Sequence, residues 1–156
     1  MDYQKALEYA KNKHKGQYRI GGEEYITHPI AVAEILKKQG YGIEYQITGL
    51  FHDLLEDTDA KESEIEELSN MEVLNAVKLL TKQKGYVMAE YIGGIKKNKI
   101  AFAVKAADRL HNLQSAFCTG EKFKRKYLAE THEWYMDFSE EIRDAAVRLE
   151  NSMEKE

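Results

Sequence analysis

LFHDLLEDT, residues 50–58, sets an adjacent His52–Asp53 pair inside a pattern of helical period. Ile43, Ile47, Leu50 and Leu54 recur at intervals of four, three and four residues, which is one apolar stripe on a helix. A helix over 43–56 with that stripe against a core is the expectation. On it, Glu56 follows His52 by four residues and Asp57 follows Asp53 by four, so four polar groups share a neighbouring face. Three carboxylates so close repel one another, a cost that a bound cation relieves.

The same helical logic extends along the chain. With one proline among 156 residues, abundant Glu, Lys, Leu and Ala, and apolar residues three and four apart, the sequence reads as all-α, a compact bundle of about seven to nine helices. No segment alternates as a strand. Helices are expected at 3–14, 29–39, 43–56, 61–67, 71–83, 86–97, 99–117, 122–136 and 138–152. Gly16 to Thr27 is the longest expected loop and leads into His28–Pro29, where proline suits the first position of a helix. Gly40 and Gly42 close one helix, Asp57 to Ala60 the next, and Gly120 separates the last two long segments. Residues 1–156 form one domain on this reading, with no internal repeat.

A net charge of −4 with 32% charged residues points neither to a broadly basic nucleic-acid surface nor to an acidic tail. The single Cys118 cannot pair within the chain, no leader pattern opens the sequence, and the longest apolar run, Ile100 to Val104, is far below the roughly 20 residues of a membrane span. The expectation is a cytoplasmic protein with neither a nucleic-acid nor a membrane partner. An anionic ligand must then be met by a local cluster, Lys96, Lys97 and Lys99 or Lys122, Lys124, Arg125 and Lys126; most such runs are solvated faces. Lys126 belongs to the preferred group, which opens the helix after Asp108. Tyr127, Trp134, Tyr135 and Phe138 sit at helical intervals and read as core or dimer packing, which leaves a homodimer open.

A second segment repeats the mixture of apolar stripe and polar line. Ile100, Val104, Ala107, Leu110 and Phe117 supply the stripe, while Asp108, Asn112 and Ser115 follow at four and three residues. Asp is a poor helix-interior residue, so its place in AVKAADRLHNL calls for a partner, either a metal ion or a nearby Lys or Arg. Together with His28 and His52–Asp53 the metal reading gains. Two imidazoles and two carboxylates without thiolate suit manganese, iron, cobalt, nickel or zinc, and two imidazoles argue against calcium. Four protein ligands leave open positions for water and a phosphate oxygen, the layout of a hydrolytic site in which Glu56 or Asp57 handles the proton of water. His111 and His132 have no evident ligand partners, and Arg109 is read as half of a structural ion pair.

HKGQYRIGGEEYITHP at 14–29, LFHDLLEDT at 50–58 and VKAADRLHNL at 104–113 give the chain its family likeness. It resembles the HD-domain phosphohydrolases, and within them the RelA/SpoT-type alarmone hydrolases with their small stand-alone forms. The resemblance implies His28, His52, Asp53 and Asp108 as ligands of one divalent metal ion, usually Mn²⁺, and Glu56 with Asp57 as the acidic pair that prepares water. It also implies Arg19 stacked on a guanine base, Asn112 beside the substrate, Ser115 near the nucleotide, and His14 with Gln17 supporting the loop. A planar guanidinium can lie over a purine, and the loop glycines let backbone approach a ligand.

The implied reaction removes the 3′-pyrophosphate of guanosine tetra- or pentaphosphate, giving pyrophosphate and GDP or GTP. No synthetase-like sequence follows the hydrolase-like helices, so hydrolysis alone is expected. Two features depart from the family: Ile20 and Gly21 stand where a basic or polar residue and a Ser usually follow the stacking Arg, and the connection before the Asp108 helix is compact. Another nucleotide or a phosphorylated metabolite therefore stands as the alternative substrate, and a nucleotide-binding module without turnover as the alternative role.

Overall fold

The computed structural model describes residues 1–153; the last three residues of the 1–156 span lie outside the described residues. Among the described residues there are ten α-helices, a single 3₁₀ turn, and no strand pairing beyond one isolated bridge between Tyr18 and Glu24. The chain divides into two compact units, Met1–Lys105 and the residues from Ala106 onward, with the boundary falling inside one continuous helix.

The first unit holds α1 (Tyr3–Lys13), α2 (Thr27–Lys38), α3 (Ile43–Phe51), α4 (Leu54–Asp57), α5 (Glu62–Leu68), α6 (Met71–Leu80), α7 (Met88–Lys96) and the first half of α8 (Lys99–Ser115). Short polar side chains start several of them. Asp2 accepts from the Lys5 N–H at 3.2 Å, Asn70 from Val73 at 2.9 Å and Asn98 from Ala101 at 2.9 Å, each satisfying an amide that the first turn leaves over. α2 ends in paired bonds, Gly40 N–H to Lys37 O and Tyr41 N–H to Leu36 O, both 3.0 Å, with Gly40 at φ 89°. That left-handed turn is one only glycine enters without strain.

α3 is the central element of this unit and packs on α1, α2 and α6. Ile47, Leu50, Phe51 and Leu54 are fully buried in a core with Ala6, Ala10, Ala33, Ile65, Val73 and Val77. Ile43, the first residue of the expected stripe, is instead exposed at the start of the helix. Gly49 lets α2 and α3 approach closely: a Cβ there would lie 3.2 Å from Leu36 Cδ1 and 3.3 Å from the Ala33 backbone nitrogen. A close approach here fixes α2, which carries His28, against α3, which leads into His52.

The expected helix over 43–56 is broken at His52–Asp53 into α3 and α4, which is why ten helices stand where nine are expected. The cause is local. The His52 Nδ1 lies 2.6 Å from the Gly49 carbonyl, the acceptor that a continuous helix would give to the Asp53 N–H. Pro29 is also not at the first helical position, because α2 begins at Thr27; as third residue it still falls among the four amides without intrahelical partners.

The second unit continues α8 through a 3₁₀ turn (Ala116–Cys118) into α9 (Glu121–Trp134) and α10 (Glu140–Met153), which pack together. Ser139 caps α10, accepting from the Ile142 N–H at 3.1 Å. Val104, Ala107 and Leu110 are buried as the stripe predicts, but Phe117 is 49% exposed. α8 ends at Ser115, and the tighter 3₁₀ turn rotates Phe117 off the stripe. No described helix is long and apolar enough to cross a membrane.

Candidate metal centre

In the first unit the fold gathers His28, His52 and Asp53. His28 comes from the first turn of α2 and His52 from the end of α3; they are 2% and 3% exposed, and their rings meet edge to face at 5.3 Å. Asp53 Oδ2 lies 3.1 Å from His52 Nε2 and 4.0 Å from His28 Nε2. A carbonyl only accepts, so His52 Nδ1 carries a proton to Gly49 O, which leaves Nε2 as the ring atom that faces Asp53. A ligand set with bonds of about 2.0–2.2 Å to a six-coordinate ion has neighbouring donor atoms roughly 3 Å apart and opposite ones roughly 4 Å apart. The two separations match that range, and a nitrogen and oxygen donor set is one that divalent transition metals accept. These residues fit a divalent cation.

Around this cluster lies a supporting set. His14 is 2% exposed, its Nδ1 donates to Gln17 Oε1 at 2.8 Å, and Gln17 Nε2 donates to the Asp57 carbonyl at 2.9 Å. His14 and Gln17 thus hold the loop after α1 to the end of α4, as expected. Burial, more than any neighbour, holds the His14 imidazole below its usual range, so it is neutral at pH 7. The loop closes on itself through Arg19 N–H to Glu23 O at 2.8 Å and Tyr25 N–H to Gln17 O at 2.9 Å, with Tyr18 and Ile20 exposed beside a half-buried Arg19.

The two carboxylates of the acidic pair meet different surroundings. Glu56 Oε1 accepts the Lys82 backbone N–H at 2.7 Å, so it anchors the segment after α6. Asp57 is the perturbed member: partial burial first, then the charges of Asp53 and Glu56, push its carboxyl up to about 6, with His52 acting in the opposite sense. Helical spacing puts the two carboxylates on one face, and the structure gives them different neighbours. No sequence pattern announces the Lys82 contact, because its donor is backbone. Sequence reading assigns Tyr25 no role, yet its hydroxyl donates to Asp53 Oδ2 at 2.5 Å.

In the second unit, α8 carries Asp108, 7% exposed, whose Oδ1 accepts from Asn112 Nδ2 at 3.3 Å. Ser115 donates to the His111 carbonyl one turn back at 2.5 Å, which leaves its oxygen as an acceptor only. Arg109 forms the anticipated structural pair. It is 3% exposed, reaches Glu130 at 2.5 Å and Thr131 at 3.3 Å, and lies 4.0 Å from the rings of both Tyr127 and Tyr135. His132 pairs with Glu150, and Arg125 with Glu121 at 3.1 Å, while Lys126 is exposed. Tyr135 and Phe138 are buried in this unit, which accounts for them as core residues.

This donor set on a helical scaffold defines a class. The chain belongs to the HD-domain family, whose profile, described as HD domain, matches residues 6–140. It is 34% identical to a guanosine-3′,5′-bis(diphosphate) 3′-pyrophosphohydrolase of Spiroplasma citri, over 96% of this chain and 21% of that protein. A protein of the same description from Aquifex aeolicus is 35% identical over 96% of this chain and 23% of its own length, and a GTP pyrophosphokinase of Myxococcus xanthus is 31% identical over 94% and 21%. The chain thus spans about a fifth of these relatives, 21–23% of their length. A solved structure described as a metazoan ortholog of SpoT that hydrolyzes ppGpp superposes with a TM-score of 0.78 at 23% identity, covering 97% of this chain and 94% of that one. At that identity the likeness is one of fold.

Proposed function

We propose that this chain is a metal-dependent phosphohydrolase that removes the 3′-pyrophosphate of guanosine 3′,5′-bis(diphosphate). The observation that carries the reading is the pair of imidazoles held around Asp53 Oδ2, with His52 turned so that Nε2 faces the carboxylate. The names of the relatives support the substrate, since two that match nearly all of this chain are 3′-pyrophosphohydrolases. His28, His52, Asp53 and Asp108, each buried or partly buried and each able to offer a ligand atom, would hold one divalent ion, with Mn²⁺ the choice. When bound, that ion supplies Lewis-acid charge to a phosphate oxygen and acidifies water.

The chain's own residues do the rest. Asp57, whose carboxyl is pushed up to about 6 by burial and by the charges of Asp53 and Glu56, takes the proton of the attacking water at its carboxylate. The water oxygen bonds to the phosphorus next to O3′, the O3′–P bond breaks, and O3′ leaves as a hydroxyl by taking up the proton that Asp57 received, giving pyrophosphate and GDP. Glu56, whose Oε1 also accepts the Lys82 N–H, joins Asp57 as the acidic pair that prepares the water. Arg19 meets the base, while Asn112, Ser115 as an acceptor, and Lys126 meet the nucleotide and its phosphates. In this reading the protein acts in the cytoplasm in alarmone turnover, alone or as a homodimer.

The apolar, 69% exposed Ile20 beside Arg19 favours a second reading, in which the same site serves another nucleotide or phosphorylated metabolite. The test is Mn²⁺-dependent hydrolysis of guanosine 3′,5′-bis(diphosphate) followed by phosphorus NMR, beside a panel of ordinary nucleotides. Pyrophosphate and GDP are expected; turnover of another phosphate ester alone moves the chain to the second reading, and silence across the panel with metal bound contradicts catalysis.

A further inference from the structure

We propose that Tyr25 is a positioning residue for Asp53, setting the carboxylate for the cation before the cation arrives; this rests on the metal-site reading above. The Tyr25 hydroxyl donates at 2.5 Å to Oδ2, the oxygen that also lies 3.1 Å from His52 Nε2 and 4.0 Å from His28 Nε2. One oxygen therefore takes the phenol and faces both imidazoles. A carboxylate offers about four lone-pair directions over its two oxygens, so the phenol hydrogen bond can fix the rotation of the group without taking every site a cation could use.

The phenol is itself held on two sides. Its ring lies 4.9 Å from the buried His14 ring and 5.9 Å from His28. Its backbone is held as well: Tyr25 N–H donates to Gln17 O at 2.9 Å, and Tyr25 O accepts the His28 N–H at 3.0 Å. The residue that orients Asp53 thus also sets where α2 begins and where His28 stands. Asp53 lies at the break between α3 and α4, where a regular helix no longer dictates its side-chain direction, and the Tyr25 hydroxyl is a donor from outside both helices that restrains it.

Tyr25→Phe removes the hydroxyl and keeps the ring. Groups that orient metal-binding carboxylates and imidazoles are worth about 10–100-fold in metal affinity. In calorimetric titration with Mn²⁺ the variant is expected to bind about 10–100-fold more weakly than wild type. The visible absorption of the Co²⁺-loaded protein is expected to change, a readout that a purely structural role would not move. Metal-free melting should stay within about 2 °C of wild type, the shift of a small stability change in a chain of this size.

Affinity within twofold of wild type overturns the role. If the variant does not fold without metal, the Co²⁺ spectrum at saturating metal decides: a changed band supports the role, and a wild-type band overturns it. Asp53→Ala, run in parallel, separates the two levels. Metal lost in Asp53→Ala but kept in Tyr25→Phe sinks only the positioning role, whereas wild-type binding by Asp53→Ala sinks the metal site and Tyr25's role with it.

Discussion

Two buried polar clusters, one in each unit, solve the cost of polar burial in opposite ways. Around Arg109 the cation is part of the chain: its guanidinium lies between Tyr127 and Tyr135, with Glu130 and Thr131 on its nitrogens. Around Asp53 two imidazole nitrogens converge on one carboxylate oxygen, an arrangement of potential ligand atoms with no cation of the chain among them. On the function proposed above, the first serves stability and the second binding.

Substitutions can break that contrast. The largest effect is expected at Asp53→Ala, which should lower Mn²⁺-dependent turnover by at least about three orders of magnitude, roughly 4 kcal/mol of transition-state stabilisation. The metal-free fold should lose less than about 1.5 kcal/mol, the scale of a few exchanged hydrogen bonds. Steady-state kinetics and urea unfolding read the two quantities. Arg109→Ala should show the reverse weighting, with a loss of about 3 kcal/mol in urea unfolding, at the lower end for a buried pair because Glu130 is 39% exposed. If Arg109→Ala unfolds at the wild-type urea concentration, the division into stability and binding clusters is wrong.

Gly49→Ala tests the packing beneath the metal centre. Its Cβ would press on the Ala33 backbone nitrogen at 3.3 Å, which cannot turn aside as a side-chain end can, and a cost of about 2 kcal/mol is expected in thermal or urea unfolding. The smallest effect belongs to Asp57→Asn. An acid raised from 3.8 to about 6 on folding is destabilising while charged, so the penalty is fully present above about 6 and absent below 3.8. Chelator-treated Asp57→Asn protein should therefore be more stable than wild type by roughly 1 kcal/mol at pH 7, after discounting for solvent screening, and equal to it near pH 3.5. An unchanged pH dependence of unfolding would show that Asp57 is not perturbed.

Much of this was legible because it depends on period and residue type. The stripe through Ile47, Leu50 and Leu54 is buried where a 3.6-residue period puts it, and Arg109 found its carboxylate. What escaped the sequence was decided by single competing hydrogen bonds. Helical spacing treats 43–56 as continuous, but one imidazole proton on Gly49 O breaks it at the His–Asp pair. The same spacing made Glu56 and Asp57 equivalent, until the Lys82 amide engaged one of them. Tyr25 was hidden for another reason: its partner is 28 residues away, and no local pattern encodes a loop tyrosine reaching a carboxylate.

The most direct test is the metal content of protein purified without chelator and supplied with Mn²⁺, measured by elemental analysis for wild type, Asp53→Ala and Asp108→Ala. One ion per wild-type chain, lost in both variants, is the predicted result; no stoichiometric metal in wild type, or a full ion retained in Asp53→Ala, would contradict the account.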